Sequence, residues 1–151
     1  MDELRTLILG IGNPARGDDG LGAAFISALG ESLPEGFRAE ACYQLAVEDA
    51  IALSQVDRVC FVDASVDVPA PFDWQPVGAD PQGTMDSHAL TPGALLMLTG
   101  ILFNTIPEAW VLAIRAEETS EIREQLSETA TQHLELALRF FNEKAGIYPD
   151  L

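Results

Sequence analysis

Two adjacent carboxylates in a glycine-rich segment are the first residues in this sequence that could do chemistry. Residues 10–22 read GIGNPARGDDGLG, in which Asp18 and Asp19 lie between two glycines. A largely apolar run at residues 4–9 precedes the segment and apolar residues at helical spacing follow it, which predicts a loop between a buried strand and a helix. Ligands of α/β proteins bind at this end of the strands. Two carboxylates there favour a cation as the ligand.

An aspartate and a histidine occupy two similar positions further along the chain. Asp63 ends the apolar run 59–62 (VCFV), which is typical of a buried parallel strand. His88 comes shortly before Thr91, whose threonine-proline sequence predicts the start of a helix. Because the carboxyl ends of parallel strands share one edge of the sheet, we expect Asp19, Asp63 and His88 to converge.

These three side chains together would form a site of mixed oxygen and nitrogen ligands. Such a site suits a first-row divalent ion such as nickel or zinc and leaves coordination positions open. No thiolate joins Asp19, Asp63 and His88, which favours a weak or transient metal site over a structural one.

Each of these residues also has a simpler structural explanation. Acids that precede a helix accept hydrogen bonds from its free amides, and we assign that capping role to Asp18. Asp63 could cap a turn, and His88 could be an ordinary surface or packed residue. His133, the other histidine, lies in an amphipathic segment and is expected to be structural. The combination of three suitably placed residues nevertheless favours a functional site.

The glycine-rich segment allows a second interpretation, as a dinucleotide-binding loop. Gly10, Gly12 and Ala15 match the glycine pattern of that fingerprint after a strand. However, Pro14 and Gly17 make the loop longer than the fingerprint allows. Its aspartates would also repel a phosphate: two unit charges of the same sign at 4 Å cost about 4 kcal/mol when the effective dielectric constant is 20. The cation interpretation is therefore favoured, and a nucleotide-binding oxidoreductase remains the alternative.

Strand-like and helix-like segments alternate along the chain, which predicts an α/β protein. We expect a three-layer sandwich, in which a mainly parallel, twisted sheet of about five strands carries helices on both faces, within a single domain at residues 1–151. Pro76 makes the fourth strand an edge strand, and either Ser120 or Ser127 caps the last helix. The predicted strands are 4–9, 37–43, 59–62, 72–77 and 109–114, and the predicted helices are 21–33, 47–53, 91–103 and a C-terminal amphipathic helix.

Composition narrows the class of partner. The 151 residues carry a formal charge of -16, and an acidic surface disfavours nucleic acid and anionic membranes. The N-terminal residues lack the pattern of a signal peptide, and the apolar runs are too short to span a bilayer, so we expect a cytoplasmic protein. Cys42 and Cys60 are expected to be buried free thiols.

The sequence resembles the nickel-iron hydrogenase maturation proteases, which trim the C-terminus of hydrogenase large subunits after nickel insertion. Three motifs carry the resemblance: the GIGN and GDDGLG sequences within residues 10–22, the VDA at residues 62–64, and the Ser87-His88 pair before a helix. Their order and spacing agree with the family, and the resemblance covers nearly the whole chain.

The resemblance implies an endopeptidase whose catalytic and metal-binding residues are Asp19, Asp63 and His88. It implies that these side chains meet nickel already bound in the hydrogenase large-subunit precursor, so that the enzyme holds no permanent metal or other cofactor. A monomer would suit a protease that must approach a large substrate, and a non-catalytic relative that only binds metal or partner is a further alternative. Family members commonly carry glycines after VDA and before the final helix, and residues 65–69 and 115–125 contain none.

Overall fold

A five-stranded sheet forms the centre of the protein. The computed structural model describes residues 4–30, 33–82 and 90–146. The strands lie in the order β2-β1-β3-β5-β4, and every neighbouring pair is parallel except β4 and β5. This arrangement confirms the predicted mainly parallel sheet. The strands are β1 (Thr6–Ile11), β2 (Phe37–Cys42), β3 (Arg58–Ser65), β4 (Phe72–Pro76) and β5 (Glu108–Arg115).

Helices cover both faces of the sheet, as expected for a three-layer α/β sandwich. Successive strand residues point to opposite faces, so Ile8 of β1 packs in one core while Leu7 and Leu9 pack in the other. The first core includes residues of α1 and α4, and the second includes residues of α2 and α3. The helices are α1 (Leu21–Leu29), α2 (Asp49–Leu53), α3 (Pro92–Phe103) and α4 (Glu128–Phe141).

The helix ends follow local sequence signals, with one difference from expectation. Thr91 caps α3 as predicted, because its Oγ1 accepts a hydrogen bond from the Ala94 amide at 3.1 Å. Ser127 rather than Ser120 caps α4. Helix α1 ends at Leu29, earlier than predicted, because Gly30 adopts a left-handed φ of 60°.

Several smaller expectations are also confirmed. Strand β4 lies at the sheet edge, where Pro76 costs no ladder hydrogen bond. Cys42 and Cys60 are free, and β1 separates their strands; Cys60 is buried as expected, whereas Cys42 is only partly buried. His133 is structural: it is buried, and its Nδ1 lies 2.9 Å from the Arg115 carbonyl oxygen. Within the described residues, no helix has the length and apolar character to cross a membrane.

The strand order places a crevice at the carboxyl ends of β1 and β3. After β1 the chain crosses to β2 on one side and then returns to β3 on the other side of β1. Open α/β sheets bind their ligands at such a switch point, because the connections leave the two strand ends in opposite directions. The glycine-rich loop follows β1, and Asp63 belongs to β3. The topology therefore brings these two segments together.

Close backbone contact between α1 and the sheet depends on Gly22. A Cβ atom at Gly22 would lie 2.8 Å from the Val62 carbonyl oxygen and would overlap the backbone of Ile11. We expect Gly22→Ala to lower the free energy of unfolding by about 1–3 kcal/mol, as overpacking does. Urea denaturation measures this effect. Gly78→Ala is the control, because nothing lies within 4 Å of a Cβ at Gly78; equal stability of the two variants would contradict the prediction.

Candidate functional site

Asp63 lies in the carboxyl-terminal part of β3, at the crevice. The strand continues to Ser65, three residues beyond the predicted strand 59–62, because β3 stays paired with β5 up to the Ser65 and Arg115 positions. Its alternation places Asp63 on the same sheet face as Val59 and Phe61, the face that α2 and α3 cover. The Oδ1 atom of Asp63 accepts a hydrogen bond from the Ala64 amide at 2.8 Å.

The environment of Asp63 shifts its titration to neutral pH. Burial raises the pKa of Asp63 from 3.8 to about 7; the hydrogen bond from the Ala64 amide opposes this shift, and the negative charge of Asp19 adds to it. A carboxyl group with this pKa exchanges a proton readily near pH 7, which is the requirement for a general acid or base. The influence of Asp19 also indicates that the two carboxylates lie near each other.

Asp19 is placed by a tight turn of the glycine-rich loop. It belongs to the 3₁₀ helix Gly17–Gly20, and its Oδ2 accepts a hydrogen bond from the Asn13 amide at 2.7 Å. Gly12 has a φ of 133°, and a Cβ atom there would overlap the carbonyl group of Asp19. This glycine is therefore needed for contact between two parts of the same loop. That role requires no nucleotide phosphate, so the geometry does not favour the dinucleotide alternative.

Asp18 does not cap α1, and the prediction that it does is wrong. Gly20 occupies the N-cap position and provides no side-chain cap. Asp18 is 1% exposed and binds the segment before α4 instead. It accepts hydrogen bonds from the Glu117 amide (2.8 Å), the Glu118 amide (3.1 Å), the Ser127 amide (2.6 Å) and the Ser127 hydroxyl (2.8 Å).

These hydrogen bonds determine the titration of Asp18. Burial by itself would raise the pKa of Asp18, but the hydrogen bonds from Ser127, Glu117 and Glu118 outweigh burial and lower the pKa below 3.8. Asp18 is therefore an ionised structural residue that joins the glycine-rich loop to the start of α4. Neighbouring Asp19 takes no part in these contacts.

His88 lies outside the described residues. Thr91, three residues later in the sequence, lines the same cleft as Asp63. Among residues 4–30, 33–82 and 90–146, no group of three histidine, cysteine, aspartate or glutamate side chains could hold a metal ion. Within the described residues, the charge of Asp19 acts on Asp63. A site formed by Asp19, Asp63 and His88 together stays a prediction.

Cys42, at the end of β2, is the thiol nearest to this chemistry. Burial raises the pKa of Cys42 to about 11, and the negative charges of Asp49, Asp63 and Glu40 contribute to the shift. The thiol therefore stays protonated near pH 7 and is a poor nucleophile.

A cleft of about 510 Å³ adjoins Asp63, and no motif in the sequence indicated which residues line it. Val111 and Ala113 of β5 share the sheet face of Asp63, and Asp80, from the segment after β4, also lines the cleft. The alternation of residues along β5 could have indicated the first two. Asp80 gave no comparable signal, since its place depends on the path of the chain after β4.

The fold and the site define an α/β protein with an acidic cleft at a topological switch point. Solved structures that share this fold include hydrogenase maturation proteases, the family that the sequence motifs resemble. The maturating endopeptidase HybD from E. coli superimposes with a TM-score of 0.77 at 20% identity, over 95% of this chain and 93% of HybD. The maturation protease HycI from Thermococcus kodakarensis has a TM-score of 0.71 at 22% identity, over 93% and 92% of the two chains.

A third structure, the hydrogenase 2 maturation peptidase from a Thaumarchaeota archaeon, has a TM-score of 0.68 at 20% identity and covers 94% of this chain and 98% of its own. Neither protein-family models nor curated proteins give a match. At these identities the likeness establishes the fold, which confirms the predicted three-layer architecture.

Proposed function

We propose that this protein is an endopeptidase that removes a C-terminal extension from the large-subunit precursor of a nickel-iron hydrogenase. One observation carries the proposal: the largely buried Asp63 carboxyl group lines an open cleft near Asp19, and this environment raises its pKa to about 7. The shared fold supports it, because the neighbours named above are hydrogenase maturation endopeptidases.

The chemistry of peptide hydrolysis matches the properties of Asp63. A water molecule must lose a proton as it attacks the carbonyl carbon, and the departing amine must gain one. An ionised Asp63 can accept the first proton, and the protonated carboxyl group can donate the second. The Ala64 amide holds the Asp63 carboxyl group in position.

Nickel enters the proposal as part of the substrate. Asp19, Asp63 and His88 would contact nickel carried by the precursor, and such an ion can polarise a carbonyl oxygen as a Lewis acid. Oxygen and nitrogen ligands are compatible with nickel, and the charge of -16 favours the approach of a cation-bearing segment. In this proposal the enzyme needs no resident metal, and it acts as a monomer in the cytoplasm, where the precursor would be found.

The direct test is incubation of the protein with a nickel-loaded large-subunit precursor that retains its C-terminal extension. We expect a short peptide to be released, which mass spectrometry detects, and we expect no release from the nickel-free precursor.

The same experiment separates the alternatives. A non-catalytic relative would bind the nickel-loaded precursor without cutting it, and that result with a cognate precursor whose tail is accessible would contradict the proposal. A nucleotide-binding oxidoreductase would instead show a thermal shift with NAD that persists in the presence of chelator.

A further inference from the structure

The cleft beside Asp63 has the properties of a side-chain pocket. Most of the residues that line it are apolar, and Asp63 is also among the lining residues. Its volume of about 510 Å³ falls in the range of small-ligand sites. Side chains of β3 and β5 and of the segments around α3 line it, and the apolar ones with the largest side chains are Ile11, Phe61, Val77, Pro92 and Val111.

Small residues keep the cleft open next to the carboxylate. Asp63 and Ala113 are partners in the register of β3 and β5, so their side chains are neighbours on one face. The methyl group of Ala113 leaves space where a larger side chain would contact Asp63. Ala64 and Gly78 also contribute to the lining.

Contacts between α3 and the segment after β4 fix one wall of the cleft. The Asp80 amide donates a hydrogen bond to the Gly93 carbonyl oxygen at 2.9 Å. A Cβ atom at Gly93 would lie 2.8 Å from the Asp80 Cβ, so only glycine permits this approach. The wall is thus held by backbone contacts, and the cleft does not depend on a bound ligand to define it.

The charges around the cleft select against anions. Of the described residues that line it, only Asp63 and Asp80 are charged, and both are acids. These acids would repel an anionic ligand. An apolar group would instead bury apolar surface of the cleft, which favours binding by about 25 cal/mol per Å² of buried surface. The two acids therefore disfavour an anionic ligand, and the apolar residues that make up most of the lining favour an apolar group beside them.

We propose that this cleft binds an apolar side chain of the substrate, from a residue that flanks the scissile peptide bond. The inference rests on the proposed endopeptidase function, because it takes Asp63 as the residue that acts on the peptide. A side chain seated against Val77, Val111 and Ala113, which are all partly exposed, would hold the adjoining peptide bond near the Asp63 carboxyl group. Such positioning contributes to hydrolysis by reducing the entropy lost on reaching the reactive geometry.

Binding of blocked amino acids to the full chain tests the pocket without requiring cleavage. The probes are N-acetyl-leucine methylamide and N-acetyl-aspartate methylamide, each titrated while amide and methyl NMR signals are recorded. We expect the leucine derivative to shift signals of Val77, Val111 and Ala113, and the aspartate derivative to leave them unchanged. Shifts located elsewhere, or equal shifts with both probes, would overturn the inference.

Ala113→Leu should fill the pocket and weaken binding of the leucine derivative about tenfold or more. Ala41→Leu is the matched control, because Ala41 is an exposed residue of the edge strand β2. If Ala113→Leu does not fold, the location of the shifts in the unmodified protein decides the question. If the leucine derivative binds in the cleft but the precursor is not cleaved, the proposed function is rejected and the pocket is retained. If the precursor is cleaved but the leucine derivative does not bind, the pocket is rejected and the function is retained.

Discussion

Asp63→Asn is expected to slow precursor cleavage by about 10²- to 10⁴-fold, the usual contribution of a general acid or base. The substitution keeps the shape of the side chain, and its oxygen can still accept the Ala64 amide hydrogen bond. It removes the ability to exchange a proton near pH 7. The rate of peptide release from a nickel-loaded precursor measures the effect, with Asp67→Asn as control because Asp67 is exposed.

The same substitution should make the protein more stable above pH 7. Because the folded-state pKa of Asp63 is about 7 and its ordinary value is 3.8, the folded protein binds this proton more tightly than the unfolded chain does. The stabilisation from that proton is complete below pH 4 and is lost as the pH rises through 7. Asparagine carries no charge, so the variant avoids the buried carboxylate.

We therefore expect Asp63→Asn to exceed the unmodified protein in free energy of unfolding by on the order of 3 kcal/mol at pH 8, with much of the difference gone at pH 4. Urea denaturation at the two pH values measures it. A variant that is less stable at pH 8 and also inactive would mean that Asp63 supports the fold rather than the chemistry.

Asp18→Asn should have the largest effect on stability. An amide cannot accept all the hydrogen bonds that the Asp18 carboxylate receives from Glu117, Glu118 and Ser127. Loss of charged hydrogen bonds, together with buried donors left unsatisfied, should cost about 3 kcal/mol or more. Urea denaturation at pH 7 measures this loss.

Asp19→Asn is the matched comparison, since it makes the same change one residue away. The only described hydrogen bond of its side chain, from the Asn13 amide, can be kept by the asparagine oxygen. We expect little change in stability and a large loss of cleavage. Removing the Asp19 charge should also lower the pKa of Asp63, which would move the acidic limb of the pH-rate profile to lower pH. Equal instability of the two variants would contradict the division of roles.

The pH dependence of Asp18 has the opposite sign to that of Asp63. A carboxyl group whose pKa is depressed in the folded state stabilises the protein above its ordinary pKa, and this contribution is lost as the pH falls through the lower folded-state value. Acid should therefore release the segment before α4 from the glycine-rich loop. The difference in stability between the unmodified protein and Asp18→Asn should shrink below pH 4.

The sequence by itself determined the features that depend on neighbouring residues. Alternation and apolar runs predicted five strands, Pro76 predicted an edge strand, and the threonine-proline pair predicted the start of α3. It also indicated that Asp19 and Asp63 would approach each other, because strand ends of a parallel sheet share an edge. Each of these features could be predicted because it depends either on residues that are close in sequence or on a general rule of sheet topology.

Only the tertiary structure decided what depends on distant parts of the chain. Asp18 looked like a helix cap because capping is local, but its partners lie 99 to 109 residues away, and several buried amides outcompete one helix end. The pocket beside Asp63 follows from the register that pairs it with Ala113 and from the contact of Asp80 with Gly93. Register and chain path are set by the packing of the whole sheet and its helices, which no single stretch of sequence contains.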